Sequence, residues 1–168
     1  GHAKTYTQFD FIVKYLRYGG YDVFYLQNIT DIDDKIIQKA KEQKTTPKKL
    51  AKNFEKIYYD DMKSLHNDAV TKYARATDFI PQIIKQIKTL IKKDYAYKLK
   101  DGYYFNIKKF KEYGKLSGRT ILEAEDAITR IDDSINKKNK GDFCLWRFSK
   151  KGEPEWNSEF GKGRPGWH

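Results

Sequence analysis

The chain has 168 residues, of which 39% are hydrophobic and 34% charged, and its 34 lysines and arginines against 23 acids give a formal net charge of +11. That length suits one domain, or one domain carrying a small insertion, and the single cysteine, Cys144, excludes a disulfide framework and cannot build a zinc site alone. No apolar run approaches the roughly 18 residues that a bilayer span needs, and nothing at the start has the pattern of a signal peptide, so the sequence reads as soluble, cytoplasmic and without a membrane partner.

From Ala3 to Tyr18, apolar residues at Tyr6, Phe9, Ile12, Val13 and Leu16 recur at the spacing of one buried helix face. Gly19-Gly20 ends that helix, and the aromatic and branched run Tyr21–Leu26 predicts a short buried strand, which together make half of a parallel α/β unit. Thr30 or Asp31 can cap the next helix, whose Ile32, Ile36, Ile37 and Ala40 share a face. Thr46-Pro47 is a second helix start, followed by Leu50, Phe54, Ile57, Tyr58, Met62 and Leu65 in helical register with Asp61 as the polar exception. A third amphipathic stretch carries Ile80, Ile83, Ile84, Ile87, Leu90 and Ile91.

After Asp94 the period becomes two. Tyr95, Tyr97 and Leu99, then Asp101-Gly102, then Tyr103, Phe105 and Ile107 predict a β-hairpin and the start of a small β-containing module. A short helix is expected over Ile121–Ile128, a polar lysine- and asparagine-rich surface after it, and a buried strand over Phe143–Trp146. The remainder is irregular and rich in Gly, Pro and Trp.

A basic excess of this size steers polyanions toward a surface, which makes an RNA partner plausible. A solvated lysine-rich surface explains the same count, and only six of the 34 basic residues are arginine, the better reader of phosphates and bases. Chemistry concentrates in three places. Gly1-His2 opens the first helix, where free N–H groups favour phosphate. Asn28-Ile29-Thr30-Asp31-Ile32-Asp33-Asp34-Lys35 sets polar and acidic groups just after a predicted parallel strand, where ligands of open α/β sheets bind; its acids can hold a metal, or complement a helix dipole, the role preferred for Asp33 and Asp34. Gly161-Lys162-Gly163-Arg164-Pro165-Gly166-Trp167-His168 joins glycines that permit close backbone approach to a flat indole wall. His66 reads as a solvated or capping residue, and Cys144 as a small buried hydrophobe.

Taken together, Gly-His-Ala-Lys-Thr-Tyr, Asn-Ile-Thr-Asp-Ile-Asp-Asp-Lys and Gly-Arg-Pro-Gly-Trp-His resemble, from one end of the chain to the other, the catalytic half of cysteinyl-tRNA synthetase, a class I aminoacyl-tRNA ligase. The resemblance implies an α/β fold: a partial Rossmann-type catalytic domain over residues 1–93, an inserted α+β connective-peptide module over 94–160, and a return to the parallel sheet of the catalytic domain over 161–168. It implies that Gly1 and His2 bind ATP, with His2 catalytic, and that Thr30 and Trp167 contact the cysteine substrate. ATP with Mg2+, cysteine and tRNA(Cys) are the implied partners, and the implied assembly is a monomer.

The family reads cysteine by thiolate coordination to Zn2+, but its zinc ligands, its first signature histidine and its lysine loop lie beyond these residues, so the chain is expected to hold no metal ligand and to be inactive alone. Ser149-Lys150-Lys151-Gly152 is similar to the lysine loop only in composition and falls at a different place in the family's pattern. Smaller departures are Gly19, where the family has a larger apolar residue, and Phe160, where it has Trp. Two other readings stay open: a related ligase that acylates an amino sugar with cysteine, and a non-catalytic basic RNA-binding module.

Overall fold

Helix α1 (His2–Tyr18) stops where expected, because Gly20 takes a left-handed φ of 85° while the Gly19 and Tyr21 amides return to the Tyr15 and Leu16 carbonyls. The computed structural model describes residues 2–118 and 136–166, so the helix expected over 121–128 lies outside the described residues. The residues divide into two compact units, Gly1–Phe79 and Ile80–His168. This division precedes the change of period at Asp94, because the third amphipathic helix buries its isoleucines against the strands that follow it.

In the first unit the strand expected over Tyr21–Leu26 is found instead at β1 (Leu26–Ile29), parallel to β2 (Lys72–Arg75). The aromatic run before β1 is extended, but its Val23 carbonyl accepts from the Arg17 guanidinium, and Tyr25 exchanges hydrogen bonds with Thr71. Tyr21 and Phe24 are therefore exposed rather than core residues. Helix α2 (Asp34–Glu42) is capped by Asp33, whose Oδ1 accepts from the Lys35 amide at 2.9 Å, and not by Thr30 or Asp31. Helix α3 (Pro47–Ser64) begins at the predicted Thr46-Pro47 signal, with Thr46 Oγ1 accepting from the Lys49 amide.

The polar face of α1 ties down residues 66–71, the segment that leads into β2. Asp10, buried, accepts from the Ala69 amide at 2.7 Å; Arg17 donates to the Ala69 carbonyl and Thr71 Oγ1; Lys14 donates to the His66 carbonyl; and Asn67 donates to Thr7. Each of these groups is satisfied inside the fold, as burial of polar atoms requires. The apolar side of α1 is less covered than its period predicts: Val13 is buried, while Phe9 and Ile12 remain about half exposed, at 50% and 48%. Phe54, Ile57 and Leu65 of the α3 segment are similarly exposed, and Leu50 and Met62 supply its buried contacts.

In the second unit α4 (Ile80–Lys92) packs Ile80 and Ile87 on Ala96, Phe105, Leu145 and Trp146 of an antiparallel sheet. The sheet runs in the order β3 (Ala96–Leu99), β4 (Gly102–Phe105), β5 (Phe143–Phe148) and β6 (Gly163–Pro165). The Asp101-Gly102 hairpin joins β3 to β4 as the sequence predicts. Residues 163–165 were expected to rejoin the parallel sheet, and instead they pair antiparallel with β5. Glycine explains the close docking: a Cβ at Gly163 would meet the Arg147 carbonyl oxygen at 2.3 Å, and one at Gly166 the Cys144 carbonyl oxygen at 2.6 Å.

Candidate functional site

The two parallel strands of the first unit run in register from Leu26 opposite Lys72 to Ile29 opposite Arg75, so their carboxyl ends lie side by side. In open α/β sheets that edge is where ligands bind. Thr30 is the first residue beyond β1 and is exposed there, between half-buried Ile29 and Asp31. Ile32, 3% exposed, anchors the segment in the core. Asp31 turns away to accept from both the amide and the hydroxyl of Thr77, just beyond β2.

The three acids thus have separate duties: Asp31 bridges to Thr77, Asp33 caps α2, and Asp34 lies in its first turn, where a negative charge complements the helix dipole. Among the described residues, no three His, Cys, Asp or Glu side chains gather to hold a metal ion. Cys144 is a lone cysteine in β5, and burial pushes its thiol up to about 12. A single buried thiol with no His, Cys, Asp or Glu group gathered for a metal among the described residues does not make a zinc set.

Arg75 ends β2 and is held from below. Its Nε and Nη2 donate to the two carboxylate oxygens of Glu55 at 3.0 and 2.6 Å, and the Tyr59 hydroxyl donates to the same carboxylate at 2.6 Å. Burial would raise the Glu55 carboxyl, but the Arg75 guanidinium and the Tyr59 hydroxyl outweigh it and hold the group below its ordinary range. A depressed folded-state value means stability that is full above the unfolded value of about 4.3 and is lost as pH falls through the folded one. Glu55→Gln is expected to cost about 1–2 kcal/mol at neutral pH, discounted because Arg75 is half exposed, and to flatten the acid limb of a stability–pH curve measured by urea unfolding.

Beneath this edge lies a tyrosine cluster. Gln27 of β1 donates to the Tyr58 hydroxyl at 2.7 Å; Tyr58 meets Tyr6 edge-on at 5.7 Å; and Tyr6 stacks on the His2 imidazole with centroids 6.2 Å apart. Burial, with neighbouring tyrosines adding to it, pushes the Tyr58 phenol up to about 12, so it stays protonated. His2 is exposed on the first turn of α1. A run of side-chain contacts therefore leads from the first turn of α1 to β1, the strand that ends one residue before Thr30.

Gly1, Trp167 and His168 lie outside the described residues. His66 is exposed at a φ of 56° past the end of α3, and Lys150 and Ser149 form a local turn in which the Lys150 amide donates to Glu153. Sequence reasoning singled out Thr30 and missed its neighbours Thr77, Arg75, Glu55 and Gln27. Their roles depend on contacts from distant segments, and none has a local motif.

A parallel strand pair with its polar turn at the carboxyl edge, preceded by a helix that begins at His2, is a mixed helix and strand arrangement consistent with a class I synthetase catalytic domain. The family model described as tRNA synthetases class I (C) catalytic domain matches residues 1–168, and the chain belongs to that family. It is 50% identical over 168 residues to a cysteine–tRNA ligase of Thermoplasma volcanium, 49% to one of Pyrococcus horikoshii, and 48% over 170 residues to one of Methanococcus maripaludis. Each alignment covers all of this chain and 37%, 35% and 35% of the respective relative, so the chain spans a little over a third of their length. No helix among the described residues is long and apolar enough to cross a membrane.

Proposed function

We propose that the chain is a portion of a cysteine–tRNA ligase, which activates cysteine with ATP and passes the cysteinyl group to the terminal adenosine of tRNA(Cys). The observation that carries this reading is the match along all 168 residues to cysteine–tRNA ligases at about half identity. In the first step a cysteine carboxylate oxygen attacks the α-phosphorus of ATP, and pyrophosphate leaves. Gly1 and His2 bind the phosphates, and His2, on the first turn of α1, stabilises the charge that builds on them. Thr30 contacts the amino acid, as its exposed place at the carboxyl edge of β1 suits, and Trp167 is likewise read as a cysteine contact. Mg2+ would accompany ATP, and a Zn2+ held elsewhere in the ligase would supply thiol selectivity; Thr30 and Trp167 orient the substrate.

Strands β3 to β5 that follow α4 are read as the connective-peptide insertion of residues 94–160, inserted into a Rossmann-type domain that begins with residues 1–93; β6, in the closing segment 161–168, pairs with β5 of that insertion and marks where the chain leaves it. The support for this reading is the change of period at Asp94 and the switch from parallel to antiparallel pairing. The ligase is read as a cytoplasmic monomer.

The experiment is cysteine-dependent ATP–pyrophosphate exchange by the full-length protein, followed by a choice of acceptors. Exchange together with charging of tRNA(Cys) is expected. Acylation of a glucosamine-type acceptor in place of tRNA identifies the amino-sugar ligase. Salt-dependent RNA binding without exchange identifies a non-catalytic module.

A further inference from the structure

We propose that Asp31 and Thr77 form a positioning pair for cysteine recognition, fixing the backbone at Thr30 without touching the substrate; this rests on the reading of Thr30 as a substrate contact. Asp31 commits both carboxylate oxygens to one residue: Oδ1 accepts from the Thr77 amide at 3.0 Å, and Oδ2 accepts from its hydroxyl. Thr77 lies in the 3₁₀ turn Ala76–Phe79 that leaves β2, and Asp31 lies in the segment that leaves β1. The pair therefore ties together the two chain segments that form the carboxyl edge, 46 residues apart in sequence.

Helix capping does not account for Asp31, since Asp33 caps α2. Thr30 is thus fixed on both sides, by the Ile29–Arg75 register before it and by the Asp31 grip and the buried Ile32 after it, while its own side chain faces solvent. Charge-assisted hydrogen bonds are the stronger kind, and a two-oxygen grip restrains rotation as well as distance. Loosening it lets the Thr30 backbone shift, and misplacing a positioning group by about 1 Å can cost roughly a hundred-fold. Asp31 and Thr77 bond to each other and not to His2, so the loss is expected to fall on the amino acid and not on ATP.

The test is steady-state pyrophosphate exchange by the full-length protein with cysteine and ATP varied in turn. Thr77→Val, which keeps the volume and removes the hydroxyl donor, is expected to raise the KM for cysteine about ten-fold or more and leave the KM for ATP unchanged. Thr77→Ser restores the parent value. Asp31→Ala acts in the same direction, and adding Thr77→Val to it brings little further loss, because the two groups form one interaction. A silent Thr77→Val alongside a Thr30→Ala that raises the cysteine KM overturns the positioning pair and keeps Thr30 as a contact. If Thr30→Ala is silent too, both ideas fall. Equal rises in both KM values, or a drop in melting temperature that tracks the loss, show a purely structural clamp and also overturn the proposal.

Discussion

Replacing His2 with alanine in the full-length protein is expected to lower the rate of cysteine-dependent pyrophosphate exchange by roughly 10²–10³-fold while leaving the melting temperature unchanged. The rate effect follows from its place on the first turn of α1, a 17-residue helix, where unpaired N–H groups and the helix dipole already favour phosphate. In the proposed role the imidazole adds a donor aimed at charge that develops as pyrophosphate departs, and removing one preorganised donor of this kind costs about 3–4 kcal/mol. The unchanged stability follows from exposure: its ring touches Tyr6 at a centroid distance of 6.2 Å and is otherwise in solvent. Because the interaction is made chiefly in the transition state, kcat should fall and the KM for ATP should hold. His2→Asn, which keeps an N–H donor, should recover part of the rate; equal activity of parent and alanine variants would make His2 a solvated first-turn residue.

Asp142→Ala is expected to be the most destabilising single change in the second unit, at about 3–5 kcal/mol. Asp142 is fully buried and accepts from the Tyr97 hydroxyl at 2.6 Å, the Ile107 amide at 2.9 Å and the Asn139 amide at 3.0 Å, with the Asn139 side-chain amide at 3.1 Å from both oxygens. Its carboxylate therefore joins β3, the turn after β4 and the approach to β5. Truncation strands several donors away from water, each worth about 1–3 kcal/mol, and leaves a cavity. Burial and the nearby Asp142 carboxylate both raise the Tyr97 phenol, so the tyrosine remains a donor across the accessible pH range. Urea unfolding should show the midpoint falling by more than about 1 M for alanine and by less for Asp142→Asn, which keeps one acceptor oxygen. Equal midpoints for parent and alanine would mean that the network closes without the carboxylate.

Features that depend on neighbouring residues were legible in the sequence. Thr46-Pro47 starts α3, Asp101-Gly102 turns the hairpin, and the isoleucine spacing of α4 matches the face it buries, because a cap, a tight turn and a helical period are each written within a few residues. Features that depend on distant partners were not. The strand near residue 26 begins where β2 offers ladder partners, Leu26 opposite Lys72, and not where aromatic residues are densest. Asp33 rather than Thr30 or Asp31 caps α2, because Asp31 is drawn to Thr77 from 46 residues away. Asp10 and Ala69 are separated by 59 residues and Asp142 and Ile107 by 35, so their contacts carry no local signature. The same holds for β6, whose glycines indicate close backbone approach without naming the strand approached. Around the proposed site, Thr30 is singled out by its motif, while the Glu55–Arg75–Tyr59 group that supports the neighbouring strand end is legible only in the fold.

The most direct measurement is the position of a non-hydrolysable cysteinyl-adenylate analogue in a crystal of the full-length protein. The account predicts its amino-acid portion within about 4 Å of the Thr30 side chain at the carboxyl edge of β1 and β2, with the phosphate mimic at the start of α1 beside His2. An analogue bound away from that edge, with Thr30 still in solvent, would contradict it.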